Sequence, residues 1–516
     1  MKKLTLTDKN KSAACIIILI AVGIFIRIIE FSKIPSGFNQ DEAFAAYEAY
    51  SLLNFGVDSF GYINPVYFIS WGSGMNVLAS YLAIPFFFIF GCSEFTFRLP
   101  QLILSVCSLF VFYLTLKELF NRKTALIGLF LLAICPWHIM MARWGLESNL
   151  APHFLLFGFY FFIKGLKNNK FLLLSAVMYG TSLYSYAIMW AVVPLTLFTY
   201  AVYILLSKKK VSLKYSLLSA LLLFVFALPL ILFVLVNKNI IPEIRTAFMS
   251  VPKIPFLRDG EIALKNLISA ESYSKFANVA ILHTDYLPWN STDFGLFYKI
   301  SIPFQFIGLV KLIVSAFKKI RAKEFSYEIL ILLSVFCSTV ISLCIDYINV
   351  NKANSLHYFN LILITAGISI LFDIKLKWCI PVKIALVGAY AVCFAMFSCY
   401  YLGEYSDSVF GGGLSDAVEY AKQNNYETIY VYSYTIPYPH ILFHDRTSRD
   451  VYEKAARYQD STHLDVTAFS NYVFVSGMPY LGTDDDAFIV DKATIDSVDT
   501  SAYTVKIFDK YAVVSK

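Results

Sequence analysis

The chain has 516 residues, of which 58% are hydrophobic and only 15% are charged, and its formal net charge is +7. That balance excludes an ordinary soluble protein and is typical of a protein that crosses a membrane several times. The positive charge does not indicate nucleic-acid binding, because the basic residues cluster in short segments between apolar runs.

The first apolar run, "AACIIILIAVGIFIRIIEF", follows a lysine-bearing N-terminus and has no small-residue cleavage site. We interpret it as a retained first membrane helix and favour this over a cleaved signal peptide. A span needs about 20 apolar residues, because the hydrocarbon core is ~30 Å thick and a helix rises ~1.5 Å per residue. This rule predicts about eleven transmembrane helices.

Basic clusters predict the orientation of these helices, because lysine and arginine favour cytoplasmic loops. The N-terminus is predicted to be cytoplasmic, together with the clusters at 117–123, 164–170, 207–210, 318–323 and 373–377. The predicted outward segments are 32–95, 142–149, 237–297, 346–355 and, since the span count is odd, the chain from about residue 402 onward. The protein is therefore expected to be a multi-pass cell-membrane protein whose chemistry takes place on the outer face.

The first outward segment, 32–95, contains more than a linker. Positions 41–55 predict a short amphipathic helix, and "GMNVLASYLAIPFFFIFG" at 74–91 predicts an interfacial helix, because Pro85 interrupts its apolar run. The second span is then expected to begin near Arg98. In the alternative, residues 75–91 cross the bilayer and every later loop is inverted, which the basic clusters argue against.

The C-terminal part, 402–516, differs in composition from the membrane part, 1–401. The stretches "ETIYVYS", "YVFVSG" and "YTVKIFDKYAVVSK" predict strands, and "GLSDAVEYAKQNN" predicts a helix. Together they predict a small extracytoplasmic α/β domain, with Gly411, Gly412 and Gly413 as a hinge. All nine cysteines lie in or beside apolar segments, so the polar parts hold neither a disulfide framework nor a cysteine zinc site.

Adjacent carboxylates, Asp41 and Glu42, follow the first span within an aromatic-rich segment. They could simply begin a surface helix, where carboxylates suit the dipole. However, the stretch from this pair to "GCSEFTFRLP", Gly91 to Pro100, resembles the first outer loop of the GT-C superfold. The resemblance is to glycosyltransferases of the family 39 type, which include protein O-mannosyltransferases and lipid A aminoarabinose transferases. It is clearest over residues 1–200 and weaker from there to 400.

The resemblance implies transfer of a sugar, with inversion, from a polyprenyl-phosphate-linked donor to an acceptor on the outer face. Asp41 matches the general base of the family, and we group Glu42 with it as a catalytic residue. A carboxylate near lipid tends to have a raised pKa, which suits that role. Arg98, Lys352 and His357 are expected to bind the donor phosphate, although relatives usually have arginine where this chain has Lys352. In the alternative, each basic residue reaches toward lipid headgroups.

Two further outward segments supply candidate substrate-binding residues. In "ARWGLESNL", Arg143 and Glu147 lie four residues apart, whereas relatives have an aspartate about five residues after the arginine. Glu147 could bind the donor or acceptor sugar, or pair with Arg143.

In "HTDYLPWNSTDFG", residues 283–295, His283 and Asp285 could be two metal ligands. We favour instead a lid in which Tyr286 and Trp289 present aromatic faces to a sugar or isoprenoid. No cofactor is predicted, and a divalent metal is the minor alternative. His440 and His444, at helical spacing in the C-terminal part, are expected at the surface.

The sequence therefore predicts an integral membrane glycosyltransferase whose partners are the bilayer, a lipid-linked donor and a cell-envelope acceptor. That acceptor could be a protein, a wall polymer or a lipid-linked glycan, and the sugar is open. The alternative is a transporter or flippase of a lipid-linked glycan. A transporter is expected to have ionisable residues near helix midpoints and two related halves, and neither stands out in the sequence.

Overall fold

The computed structural model describes residues 6–257, 261–287, 289–403, 405, 410–432, 436–459, 466–477, 485–497 and 499–516, without the side chains of residues 6–12. The α-helices in these ranges are α1 Leu6–Ile28, α2 Gln40–Phe55, α3 Leu78–Phe90, α4 Glu94–Leu119, α5 Arg122–Ala133, α6 Pro136–Met141, α7 Ala151–Gly165, α8 Phe171–Ser182, α9 Met189–Leu206, α10 Leu213–Asn237, α11 Ala270–Ala280, α12 Ile302–Arg321, α13 Tyr327–Cys344, α14 Asn354–Asp373, α15 Cys379–Gly403, α16 Leu414–Gln423, α17 Tyr438–His444, α18 Arg449–Ala455 and α19 Lys492–Ile495. The strands are β1 Ile244–Arg245, β2 Ser250–Val251, β3 Thr428–Val431, β4 Arg457–Tyr458, β5 Val466–Phe469, β6 Tyr472–Phe474, β7 Asp486–Asp491, β8 Thr504–Phe508 and β9 Tyr511–Ser515.

Seven helices within the described ranges are long and apolar enough to cross a membrane: α4, α9, α10, α12, α13, α14 and α15. The stretch Ala13–Ile28 of α1, together with α3 and α8, is apolar but shorter than 18 residues. The protein is thus a multi-pass membrane protein, while the prediction of eleven spans is not confirmed.

Helix α2 begins one residue before its predicted start and ends at the predicted position. Helix α3 has 13 residues, about 20 Å of length, which is too short to cross the ~30 Å hydrocarbon core. It packs between α2 and α4, and α2 also packs against α17 of the C-terminal domain. Helix α2 thus connects α3 to the C-terminal domain, while the interfacial position of α3 stays a prediction.

Helix α14 forms the centre of the membrane part. Every residue from Asn354 to Ser369 is buried, and the helix packs against α5, α7, α12 and α13. Glycines allow the closest of these contacts: a Cβ atom on Gly308 of α12 would collide with the carbonyl of Leu363, and one on Gly367 would collide with that of Phe304. Small residues of this kind let membrane helices approach through their backbones.

A buried polar network links α1, α6, α7 and α14. Arg27 donates from Nε and Nη2 to Nδ1 of His138, at 3.0 and 2.7 Å. Because arginine has only donors, His138 carries its proton on Nε2 and donates it to the Tyr358 hydroxyl at 2.8 Å. Tyr358 lies 3.2 Å from Nδ1 of His153. None of these residues was predicted to be functional, and they lie near helix ends.

The C-terminal domain contains a seven-stranded mixed sheet with the order β4-β5-β6-β3-β7-β9-β8. Strand β3 is parallel to β6 and β7, and the outer pairs are antiparallel. Strands β3, β6, β8 and β9 and helix α16 lie within the segments from which strands and a helix were predicted.

The C-terminal domain contacts the first outward segment directly. The Gly411 amide donates to the carbonyl of Phe38 at 2.7 Å, and the Ile436 amide donates to Oε1 of Gln40 at 3.0 Å. Gly37 adopts a φ of +75° beside Gly411, and a Cβ atom there would collide with that backbone. The start of α2 is therefore fixed against this domain.

His440 and His444 lie in this contact rather than at the surface, so the expectation for them was wrong. His440 is 1% exposed, and its two ring nitrogens have no partner among the described residues. Nε2 of His444 lies 3.7 Å from a Glu94 carboxylate oxygen. Helix α17 packs its histidine face onto α2 and α16, which a pattern of two histidines four residues apart does not reveal.

Candidate active site

The start of α2 orients the two adjacent carboxylates differently. Asn39 caps the helix by accepting the Glu42 amide at 2.9 Å, and its own amide donates to the Glu42 carboxylate at 3.2 Å. This capping box turns Glu42 inward, where it is fully buried. Asp41 occupies the same first turn but is partly exposed.

Glu42 forms a buried ion pair with Arg98 of α4. Nε and Nη2 of Arg98 donate to the two carboxylate oxygens of Glu42, each at 2.8 Å. Arg98 also donates to the carbonyls of Pro35 and Gly37, at 2.9 and 2.6 Å, and the Gly145 amide donates to Glu42 at 2.7 Å. The pair therefore joins α2, α4 and the 142–149 segment.

These contacts correct two expectations. Glu42 is not placed to take a proton from a substrate, because its carboxylate already accepts hydrogen bonds from Arg98, Gly145 and Asn39 and is 0% exposed. Arg98 is 1% exposed and bound within the pair, so it is not placed to bind a donor phosphate. Both residues are positioning groups in this geometry.

Arg143 and Glu147 make different contacts, although they lie one helical turn apart in sequence. Arg143 is buried, donates to the carbonyls of Ile34 and Ile26 at 2.9 and 3.2 Å, and faces the ring of Tyr401. It links α1 and α15 to the 142–149 segment and is not placed to bind substrate. Glu147 instead accepts the Asn76 amide at 2.5 Å and lines a cavity. The option in which the two residues pair is therefore not observed.

The cavity has a volume of about 410 Å³ and lies among the start of α9, the end of α10 and the outward segments. Its charged lining residues are Glu147, Lys238, Glu261 and Lys352. Lys352 donates to the Asp346 carbonyl at 3.2 Å, and its Nζ lies 4.0 Å from a Glu261 oxygen. The cavity thus offers two ammonium groups for an anion and two carboxylates for hydroxyl groups.

Aromatic side chains form another part of the cavity wall. The Tyr67 ring lies 4.5 Å from that of Phe233 and 5.6 Å from that of Trp190, measured between centroids. These rings come from the first outward segment, α10 and α9 respectively. Flat apolar surfaces of this kind suit the face of a sugar ring or an isoprenoid chain.

Asp41 is close to this cavity through Tyr186. Burial chiefly raises the pKa of the Tyr186 phenol, and the carboxylates of Glu147, Glu261 and Asp41 raise it further. Tyr186 lies on the cavity wall. Asp41 does not itself line the cavity, and its charge is the weakest of these influences on Tyr186.

His357 does not share the cavity with Lys352, although the two lie five residues apart. His357 is 0% exposed and donates from Nε2 to the Val350 carbonyl at 2.9 Å. Its ring packs edge-on against Trp137 at 5.0 Å. The expected phosphate contact of His357 is wrong for this geometry, because the side chain points into the protein core.

His283 and Asp285 diverge instead of converging on a shared ligand. His283 is buried and donates from Nε2 to Oε1 of Gln305 at 2.8 Å, and burial lowers the pKa of His283 to about 4. Asp285 accepts the Val350 amide at 2.7 Å and the Asn290 side chain at 2.9 Å, which ties the long loop to residues 346–353. Neither is placed to bind substrate. Within the described ranges, no three His, Cys, Asp or Glu side chains are grouped to hold a metal ion.

The long outward segment does cover the cavity, but not with the predicted aromatic residues. Tyr286 is 56% exposed and donates to the Tyr347 carbonyl, and Trp289 packs against Trp144 and Phe410. The residues of this segment that line the cavity are Ile254, Leu257, Glu261 and Ile262. That this segment acts as a lid stays a prediction, and the aromatic residues chosen for it do not line the cavity.

Lys238, Glu261, Tyr67, Trp190 and Phe233 were not predicted. Lys238 directly follows the last residue of α10, and a lysine at the outer end of a span is ordinarily read as a headgroup contact. Its sequence position is the one signal that could have marked it.

Comparisons with known proteins agree with this architecture. Residues 76–233 match the family described as dolichyl-phosphate-mannose-protein mannosyltransferase. The structure of ArnT from Cupriavidus metallidurans in the apo state superposes with a TM-score of 0.57 at 12% identity, over 98% of each chain. The chain has the GT-C fold.

Two other GT-C structures are similar. ArnT bound to undecaprenyl phosphate matches with a TM-score of 0.57 at 11% identity over 97% of each chain. The oligosaccharyltransferase AglB from Archaeoglobus fulgidus, in complex with an inhibitory peptide and a dolichol-phosphate, matches with a TM-score of 0.56 at 14% identity. That match covers 85% of this chain and 64% of the AglB chain. No curated protein sequence matches the chain.

Proposed function

We propose that the protein is a membrane glycosyltransferase that moves a sugar from a polyprenyl-phosphate carrier to an acceptor hydroxyl. One observation carries the proposal: the 410 Å³ cavity combines two lysines, two carboxylates and an aromatic wall. A lipid-linked sugar has a matching phosphate, hydroxyl groups and an apolar chain. The GT-C fold and the lipid phosphates bound by ArnT and AglB support the same substrate class.

Lys238 and Lys352 are the proposed ligands of the donor phosphate. Lysine binds phosphate as a point charge and lacks the planar fork of arginine. A phosphate in the cavity would compete for the Lys352 ammonium with the Asp346 carbonyl and the Glu261 carboxylate, which lie 3.2 and 4.0 Å from its Nζ. Glu147 and Glu261 would accept hydrogen bonds from sugar hydroxyls, and Tyr67 and Trp190 would pack against apolar faces.

Asp41 is the proposed general base. The acceptor hydroxyl oxygen attacks the anomeric carbon, its proton passes to the Asp41 carboxylate, and the bond from the anomeric carbon to the phosphate oxygen breaks. The lipid phosphate leaves with that electron pair, and the anomeric configuration inverts. A positioned base of this kind contributes about 10²- to 10⁴-fold to a rate.

The Glu42–Arg98 pair would hold the base in place. Glu42 contacts the Gly145 amide on one side and the capping residue Asn39 on the other. Asp41 and the segment that carries Glu147 are therefore connected through one carboxylate. Glu42 thus acts on the reaction through geometry, not by touching substrate.

The orientation of the protein in the membrane and the acceptor of the sugar are also proposals. We place the N-terminus in the cytoplasm and the C-terminal domain outside a bacterial cell membrane, as the basic clusters predict. The acceptor is a protein hydroxyl, a wall polymer or a lipid-linked glycan.

Mass spectrometry of cell-envelope glycans tests this function. Cells without the gene, and cells with Asp41→Asn, are expected to lose the same sugar substituent. Asp416→Asn is the matched control, because Asp416 also lies in the first turn of a helix but in the C-terminal domain. Retention of the full glycan pattern in the Asp41→Asn cells would contradict the assignment of the base.

The transporter alternative has one observation in its favour, the buried Arg27 within the membrane part. However, Arg27 donates to His138 and to the carbonyls of Gly23, Leu132 and Ala133, as a structural crosslink does. A transporter would move a labelled lipid-linked glycan across reconstituted vesicles without forming a new glycosidic bond.

A further inference from the structure

The long outward segment exposes large apolar side chains to an unusual degree. Ile268 is 89% exposed and Phe248 is 87% exposed, more than any other large hydrophobic residue that the structure describes. Leu264 is 78% exposed. For comparison, Leu221 on the lipid-facing surface of the spanning helix α10 is 57% exposed. Clusters of this kind on a protein mark a contact with another apolar surface.

Hydrogen bonds fix the level of the hairpin that carries Phe248, which lies between β1 and β2. The Asn237 side chain donates to the Pro252 carbonyl at 3.0 Å and accepts the Ile254 amide at 2.8 Å. Asn237 is the last residue of α10. The hairpin is therefore attached where a spanning helix leaves the hydrocarbon.

The turn that carries Leu264 and Ile268 is attached in the same way to another spanning helix. The Ala263 amide donates to the Cys344 carbonyl at 2.8 Å, and the Asn266 side chain donates to it at 3.0 Å. Cys344 is the last residue of α13. Both apolar projections thus start at the boundary of the bilayer.

We propose that the Phe248 hairpin and the 264–268 turn insert into the lipid leaflet on the cavity side of the membrane. Burying these side chains among acyl chains removes apolar surface from water, at about 25 cal/mol per Å². Lys253 and Lys265 are exposed within the same two stretches, and lysines at this depth extend toward headgroup phosphates. A phospholipid bilayer is therefore the partner that fits this surface.

Insertion of these two stretches would also position the chain between them, which covers the cavity. Ile254, Leu257, Glu261 and Ile262, which line it, lie in sequence between the two inserted stretches. Lipid contact on either side would hold this cover at the membrane surface, where a lipid-borne ligand arrives. The insertion itself depends only on the spans and not on glycosyl transfer.

Photo-crosslinking tests the insertion without any activity assay. A benzophenone amino acid replaces Phe248 or Ile268 in the full chain, which is reconstituted in vesicles of phosphatidylethanolamine and phosphatidylglycerol and irradiated. The same replacement at Leu221 is the lipid-facing control. Replacement at Ile507, which is 54% exposed on β8 of the C-terminal domain, is the water-facing control.

We expect phospholipid adducts, detected by intact mass, at positions 248 and 268 as at 221, and none at 507. Labelling at 221 without adducts at 248 and 268 would overturn the proposal. Crosslinks from 248 and 268 to protein instead of lipid would also overturn it, because they would identify a protein partner.

Discussion

The first and the long outward segments contribute to the site in opposite ways. In the first segment, Glu42, which is adjacent to Asp41, has a structural role, because it forms a buried ion pair with Arg98. In the long segment, the acidic residue singled out by the sequence, Asp285, joins two loops, while Glu261 lines the cavity. A charge cluster in a motif can therefore mark a structural joint as readily as a site of chemistry.

The largest effect is expected from removing Arg98, the partner of Glu42 in the first outward segment. Arg98→Ala leaves the Glu42 carboxylate buried without its partner, and removing one member of such a pair costs about 3–5 kcal/mol of stability. We expect a large fall in the unfolding temperature of the purified protein. The control Lys117→Ala removes a cation from the last turn of the same helix. A variant as stable as the control would refute the structural role.

The contact between the first segment and the C-terminal domain should depend on pH. Burial lowers the pKa of His440 to about 4. Burial, with smaller contributions from His440 and Arg446, lowers the pKa of His444 to about 3. The unfolded chain binds protons near pH 6.5 while the folded chain does not, so stability is present above pH 6.5 and is lost as pH falls toward 4.

At pH 5, His440 is expected to lower the free energy of unfolding by about 2 kcal/mol, because one unit of difference in pKa corresponds to ~1.4 kcal/mol. Limited proteolysis of the C-terminal domain between pH 7.5 and 5 measures it. His440→Phe should flatten the profile, and an unchanged profile would show that Glu94, beside His444, or another group controls it.

Lys352 lines the cavity, so its replacement tests the proposed phosphate site. A charge-assisted hydrogen bond to a phosphate contributes about 1.5–3 kcal/mol, so Lys352→Gln should raise the KM for the lipid donor at least about tenfold. Lys506→Gln, at an exposed position of β8 in the C-terminal domain, is the control. Equal KM values for the two variants would remove Lys352 from the phosphate site.

The smallest effect is expected at Tyr286. Its hydroxyl makes one long, exposed contact of 3.4 Å and does not line the cavity, so Tyr286→Phe should leave the donor KM within about twofold, because surface changes usually cost less than ~0.5 kcal/mol. Trp190→Ala, which removes a cavity wall, should raise it more. The reverse order would restore the aromatic lid that the sequence predicted.

Much of the fold could be predicted from the sequence, because hydrophobic length and periodicity depend on local pattern. Helices α2 and α3 and the strands β3, β6, β8 and β9 all follow from such patterns, while the interfacial position of α3 stays a prediction. The number of spans did not, because helices such as α8, with 12 residues, are too short for the length rule.

The site was harder to predict, because it depends on contacts between distant segments. Asp41 and Glu42 look alike in sequence, and only the partner on α4, 56 residues away, distinguishes them. His283, His357 and Arg143 are buried by elements that the local sequence does not specify, and their roles in binding stay predictions. Lys352 and Glu147 were placed in the cavity as predicted candidates, while their roles in binding stay predictions.

The most direct test compares the turnover of Asp41→Asn and Glu42→Gln, each purified in detergent. The readout is the release of sugar from polyprenyl-phosphate-linked sugars extracted from the host membrane, with the unfolding temperature measured on the same samples. We predict that Asp41→Asn unfolds like the unmodified protein but loses about 10²- to 10⁴-fold in turnover, whereas Glu42→Gln loses stability. Full turnover by a folded Asp41→Asn protein would contradict the assignment of Asp41 as the base.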